Sequence, residues 1–224
     1  MAILSVIVPV YNEAGTIKQI LDKINSVNID KEVIVVDDSS SDDTDKILRG
    51  LQYENLKVIH HSSNRGKGAS VLTGLSQASG EYVVVQDADL EYDPNDYLKL
   101  MDAMKNEGAD IVLGARFTSD YNGSLIPKFG NRLLTKLVNI LFGFQLNDCF
   151  TCYKLMRRAP MVDLSLESKS FDIEIEIIAK AIRRRMRIIE VPILYSPRSY
   201  EEGKKIRIKD GIWAMIKIFW FRFG

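Results

Sequence analysis

The sequence predicts an α/β fold built on a mainly parallel central sheet flanked by helices, and three observations carry that prediction. Short β-branched runs recur through the first half of the chain, helical patterns stand between them, and the runs are continuously apolar instead of alternating. Continuous runs suit strands buried on both faces, and a helix between two strands supplies the crossover that parallel pairing needs. With 224 residues, 46% of them apolar and 27% charged, the chain can bury one substantial core as a single domain with appendages.

The first run, residues 3–10, reads as a strand, and residues 16–27 carry apolar side chains at three- and four-residue spacing, which makes one helical face. The alternation continues with strands at 32–36, 56–59, 82–85 and 111–113 and helices at 44–51, 69–78 and 97–105. Asp42 and Asp43 precede the second helix, and Asp93 followed by Pro94 is an N-cap and first-turn pair for the fourth. After Gly114 the pattern changes. A loop is expected over 118–126, a helix over 128–142, a connecting stretch over 148–156, an amphipathic helix over 171–184 and a strand over 187–195, followed by a basic loop and an aromatic helix.

The formal net charge is zero, so the chain lacks the overall basic field of a nucleic-acid protein. Charge is nevertheless uneven: residues 180–224 hold twelve Lys or Arg against four Asp or Glu. Cys149 and Cys152 are too few for a structural zinc site and are expected as reduced, inert thiols. The N-terminus has no charged n-region before its strand pattern, so no signal peptide is expected and the protein is placed in the cytoplasm.

Ligands of such sheets sit beyond the carboxyl ends of the strands. That rule selects Pro9-Val10-Tyr11-Asn12-Glu13, Asp37-Asp38-Ser39 and Asp87-Ala88-Asp89, each directly after a strand. In extended chain Asp87 and Asp89 point the same way, Glu91 continues the register, and all three can offer oxygens to one hard cation. Carboxylates repel a diphosphate, since like charges about 4 Å apart repel by roughly 4 kcal/mol at an effective dielectric near 20. A divalent metal between them reverses the sign and stabilises a leaving nucleoside diphosphate. Surface turns also produce D-x-D, so the pattern gains weight from its context. Asn64-Arg65-Gly66-Lys67-Gly68 opens a helix and could cradle phosphate through backbone N–H groups, although it matches neither the dinucleotide nor the Walker pattern. His60 and His61 read as strand-end surface residues.

These three strand-end motifs, in this order and spacing, resemble family 2 glycosyltransferases of the GT-A nucleotide-diphospho-sugar transferase fold, over nearly the whole chain. Within that family the chain is similar to the dolichyl-phosphate mannose and glucose synthases and their undecaprenyl-phosphate relatives. The resemblance implies that Pro9, Tyr11 and Glu13 line the base and ribose pocket, that Val36 and Asp38 complete it, and that Lys67 lies beside the nucleotide. It implies Mg²⁺ or Mn²⁺ on Asp87, Asp89 and Glu91, with Ala88 between them at the diphosphate, and inversion at the anomeric carbon. Glu91 stands where mannose synthases of this branch often carry Gln, which weakens a mannose assignment.

Arg116, Arg132, Arg198 and the pair Lys204 and Lys205 are cationic positions from separate segments, which suits a substrate carrying more phosphate than the donor alone. In the polyprenyl-phosphate branch matching arginines bind donor and acceptor phosphates, and Arg116, Lys204 and Lys205 are assigned to the donor side. The branch usually has Ser where this chain has Lys136. Asp148, Glu174 and Glu176 are candidates for a general base, which a sugar hydroxyl acceptor would need. A phosphate monoester, with a second pKa of about 6, would not, and Asp148 would then orient an arginine or the sugar. Glu174 and Glu176 lie two apart on a helix and so cannot share a face.

The expected organisation is therefore a glycosyltransferase domain over 1–205 and a C-terminal amphipathic segment over 206–224. The latter carries Trp213, Phe219, Trp220 and Phe223 among basic residues, and its nearly uncharged part is about half the roughly 20 residues that cross a bilayer. It fits a helix lying in the membrane interface or against a partner subunit. Relatives often continue into transmembrane helices, so a peripheral enzyme on the cytoplasmic membrane face is expected. The function expected is hexose transfer from a nucleoside diphosphate sugar to a polyprenyl phosphate. The alternatives are transfer to a saccharide hydroxyl and a non-catalytic nucleotide-sugar-binding accessory subunit.

Overall fold

The computed structural model describes residues 2–117, 125–198 and 208–224, with the backbone alone at 125–127 and 208–210. Its described strands are β1 (Leu4–Val10), β2 (Lys31–Asp37), β3 (Leu56–His60), β4 (Tyr82–Val85), β5 (Ile111–Ala115), β6 (Lys154–Arg157) and β7 (Ile188–Pro192). They form one sheet in the order β3-β2-β1-β4-β6-β5-β7. β1 pairs in parallel with β2 and β4, β2 with β3, and β5 with β7. β6 runs antiparallel between β4 and β5. The sequence pattern misses β6, because Lys154-Leu155-Met156-Arg157 has no β-branched residue and a charge at each end.

The described helices are α1 (Ile17–Ser26), α2 (Thr44–Arg49), α3 (Lys67–Gln77), α4 (Asp96–Glu107), α5 (Leu125–Phe142), α6 (Arg158–Asp163), α7 (Ile173–Arg183) and α8 (Ile208–Phe223). α1 buries Ile17, Ile20, Leu21 and Ile24, the stripe its spacing predicts. Asp93 and Pro94 form the turn before α4 instead of its first turn: the Asp93 carboxylate accepts the Asn95 N–H at 3.0 Å, and the helix begins at Asp96. The loop expected from 118 lies outside the described residues as far as 124, and α5 is already helical at Leu125.

β1 lies inside the sheet between β2 and β4, with Leu4, Val6, Ile7 and Val8 fully buried. The strand order reverses between β1 and β4, so their carboxyl ends flank the crevice where ligands of open α/β sheets bind. α8 packs against α5 and α7 and sinks Ile218 completely. Lys217 Nζ lies 2.9 Å from an Asp172 oxygen, and Arg222 Nε donates to the Leu141 carbonyl at 2.6 Å. The outward surface of this pair remains apolar, with Phe129, Leu133 and Ile140 from α5 and Trp213, Ile216, Trp220 and Phe223 from α8 exposed. No described helix is long and apolar enough to cross a membrane.

Candidate active site

Three strand ends carry a non-glycine residue in the left-handed region: Asn12 (φ 53°) after β1, Ser39 (φ 63°) after β2 and Leu90 (φ 65°) after β4. Asn tolerates this conformation through local hydrogen bonding, whereas a Leu there costs of order 1–3 kcal/mol and persists only where neighbours dictate it. At Leu90 they do. The Glu91 N–H donates to Asp89 Oδ1 at 3.1 Å, and Tyr92 bridges to Tyr195. The turn thereby presents Asp87 and Asp89 at the end of β4, over a buried layer in which Gln86 Oε1 accepts the hydroxyls of Tyr97 and Tyr153, each at 2.5 Å.

Each aspartate meets a cation of the protein. Lys67 Nζ lies 2.7 Å from Asp87 Oδ1, and Arg198 reaches Asp89 Oδ2 at 3.5 Å. The Asp89 carboxyl is pushed up to about 7, by burial first and then by the neighbouring carboxylates of Asp87 and Glu91. An oxygen-only donor pair crowded with negative charge fits a hard divalent cation, which would relieve the repulsion. Glu91, the third expected ligand, also serves the fold: its carboxylate accepts the Tyr195 hydroxyl at 2.6 Å and the Arg198 N–H at 2.8 Å, which anchors the segment after β7.

On the β1 side, Glu13 is 9% exposed and takes both terminal nitrogens of Arg198, at 3.0 and 3.2 Å. Arg198 therefore links the β1 and β4 loops across the crevice. Tyr11 is 39% exposed beside them, Pro9 is half-buried, and Val36 and Ala88 are buried. Asp38, expected to help complete the base and ribose pocket, is engaged by donors of the chain itself. Its oxygens accept the N–H groups of Arg65 (2.9 Å) and Gly66 (2.7 Å), and one lies 2.7 Å from His61 Nδ1. The same bonds take two of the backbone donors, those of Arg65 and Gly66, within the phosphate cradle expected of residues 64–68. His61 is likewise no surface residue: its side chain is 4% exposed and held between Asp38 and Thr73. Lys204 and Lys205 lie outside the described residues.

Beyond β5, Arg116 forms a bidentate pair with the fully buried Asp148, through Nε at 2.6 Å and a terminal nitrogen at 2.8 Å. Burial alone would depress the guanidinium, but Asp148 outweighs it and holds Arg116 charged. Asp148 is thereby spoken for as a partner of arginine. Arg132, exposed on α5, joins Ala115, Phe117, Asn147 and Asp148 around a cavity of about 250 Å³. The Tyr195 ring stands between this region and the β4 turn, 5.2 Å from the Arg116 guanidinium and bonded to Glu91.

Glu176 is occupied away from the aspartates, accepting the N–H groups of Glu167 and Ser168 and the Lys180 ammonium. Glu174 instead lies between Lys67 and Lys154. Lys154 was not anticipated. A lysine inside the apolar run Tyr153-Lys154-Leu155-Met156 is the signal that could have found it, since a buried charge demands a partner. A separate set, Asp37, Asp45 and His60, brings ligand atoms within 4.8 Å of one another at the ends of β2 and β3. There Asp37 accepts the Ser40 N–H and hydroxyl, and Asp45 pairs with Arg49, so these residues brace the loop.

The family model described as Glycosyl transferase family 2 matches residues 5–164. The chain is 30% identical over 209 residues to the dolichol-phosphate mannosyltransferase of Pyrococcus furiosus, covering 89% of this chain and 58% of that one. It is 29% identical over 226 residues to the UDP-N-acetylglucosamine–dolichyl-phosphate N-acetylglucosaminyltransferase of Methanococcus voltae, covering 90% of each. It spans 49% of the length of a matching low-salt glycan biosynthesis hexosyltransferase of Haloferax volcanii. The crystal structure of glucosyl-3-phosphoglycerate synthase from Mycobacterium tuberculosis, in complex with Mn²⁺, UDP and glucosyl-3-phosphoglycerate, superposes with a TM-score of 0.76 over 99% of this chain and 80% of that one. At 21% identity, this likeness concerns the fold.

Proposed function

The chain belongs to glycosyl transferase family 2, and from that premise we propose that it transfers a hexose from a nucleoside diphosphate sugar to a polyprenyl phosphate of the dolichyl or undecaprenyl type, with inversion at the anomeric carbon. The observation that carries the reading is the crevice between β1 and β4, where Glu13 and Asp89 meet Arg198 and Asp87 meets Lys67. Relatives named for dolichyl-phosphate acceptors support the acceptor class.

Asp87 and Asp89 would hold Mg²⁺ or Mn²⁺, which supplies positive charge to the leaving diphosphate. Tyr11 offers a face on which a base can stack, and Glu13 an acceptor for ribose hydroxyls. Arg198, already spanning both loops, would turn its guanidinium to the diphosphate. Arg116, fixed in direction by Asp148, would take donor phosphate, and Arg132 across the cavity acceptor phosphate. The attacking phosphate oxygen forms the new bond to the anomeric carbon as the bond to the diphosphate breaks. No side chain need remove a proton, because that oxygen is already anionic at neutral pH. The exposed aromatic surface of α5 and α8 would lie on the cytoplasmic face of the membrane, bringing the site to its lipid acceptor.

The deciding measurement is transfer of radiolabelled sugar from a panel of nucleotide sugars, with Mn²⁺, to a polyprenyl phosphate and, separately, to oligosaccharides. Product on the lipid alone is expected. Product on oligosaccharides, with the lipid ignored, would replace this acceptor by a hydroxyl.

A further inference from the structure

Three members of one buried charge cluster, Lys67, Glu174 and Lys154, have no part in the reaction as described. Lys67 opens α3 with Nζ 2.7 Å from Asp87 Oδ1 and 3.0 Å from Glu174 Oε1. Lys154, 1% exposed on β6, places its ammonium 2.5 Å from the other Glu174 oxygen. Two carboxylates and two ammoniums thus balance in a region where an uncompensated ion would cost several kcal/mol. Lys67 is the only member shared by both acids. It is also the less enclosed of the two lysines, its side chain 12% exposed against 1% for Lys154.

The inference rests on the assignment of a divalent cation to Asp87 and Asp89. An ammonium and a metal ion cannot share Asp87 Oδ1 without strong repulsion. Glu174, anchored by Lys154, offers Lys67 a second position that leaves no charge buried alone. We propose that Lys67 is a built-in occupant of the cation site, neutralising Asp87 in the free protein and yielding that carboxylate to the metal by moving onto Glu174. Glu174 and Lys154 are then positioning residues that make the exchange possible. The ammonium stays beside the incoming ion, so metal binding to the protein alone is weakened. A nucleoside diphosphate supplies anionic oxygens to both cations, so metal and donor bind cooperatively, each strengthening the other by the same factor.

The test is direct Mn²⁺ binding to the whole protein, read as loss of the free-ion electron paramagnetic resonance signal, with and without UDP and without turnover. Lys67→Met leaves Glu174 paired with Lys154, so it is expected to fold, as circular dichroism melting checks. It should bind Mn²⁺ about tenfold more tightly than wild type and show a smaller gain on adding UDP. Lys67→Arg, which keeps the charge, should remain near wild type. Glu174→Gln, which removes the second position, should weaken binding; if it does not fold, Lys67→Met against Lys67→Arg decides. Equal or weaker Mn²⁺ binding by Lys67→Met overturns the exchange. Asp89→Asn separates the two readings: if it binds Mn²⁺ as wild type does, the cation site itself is misplaced, whereas lost binding there with an unchanged Lys67→Met defeats the exchange alone.

Discussion

Arg116 and Asp148 show at the scale of single residues how a charge is made both safe and useful in a low-dielectric setting. The guanidinium is fixed in plane by two hydrogen bonds to one carboxylate, and that carboxylate is fully buried. Truncating one member of such a pair strands the other, at about 3–5 kcal/mol. Arg116→Ala is therefore expected to lose about that much stability in urea denaturation, because Asp148 is left buried with its principal cation gone. An unchanged midpoint and slope would show that Asp148 is solvated after all. Glu91 and Asp38 teach the complementary lesson. Both are acids at strand ends of the kind that hold ligands, yet their oxygens are taken by the chain's own donors.

Among the elements, the start of α3 depends on a segment far away in sequence. The loop before α7 lies against it so closely that a Cβ on Gly68 would stand 2.3 Å from the Ser168 carbonyl oxygen, and one on Gly66, whose φ is +94°, 2.3 Å from that of Lys169. The Ala69 N–H donates to the same Lys169 carbonyl at 3.2 Å. Contact with backbone cannot be relieved by a rotamer change, so Gly68→Ala must separate α3 from the loop. That movement would carry Lys67 away from Glu174. The expected result is a loss of about 1–3 kcal/mol in stability together with weakened Mn²⁺ binding, measured by thermal melting and metal titration. Wild-type values for both would mean that the loop adapts without moving the lysine.

For the molecule as a whole, the crevice opens at the carboxyl edge of the sheet while α5 and α8 form an apolar surface elsewhere. The chain has two tryptophans, Trp213 and Trp220, 61% and 64% exposed on α8. Their fluorescence therefore reports on this surface alone. If it lies in a membrane interface, emission should shift to the blue on adding vesicles containing anionic phospholipid, and salt should weaken the shift. Emission unmoved by any vesicle would assign the surface to another protein or to a second copy.

The sequence by itself determined the alternating strands and helices, the three acidic strand ends and the family, because these are written in local periodicity and in motifs a few residues long. It also marked Asp148 as a residue that could orient an arginine, without saying which one. The tertiary structure alone decided which acids are left to face a ligand. Glu91 and Asp38 found donors in segments remote in sequence, and Glu174 found Lys67 at the start of α3 and Lys154 on the antiparallel β6, whose four residues carry no strand signal. Local pattern records what a residue can do in its own element. Whether a carboxylate meets a metal, an N–H or an ammonium depends on what the fold brings within about 3 Å of it, and that is a long-range property.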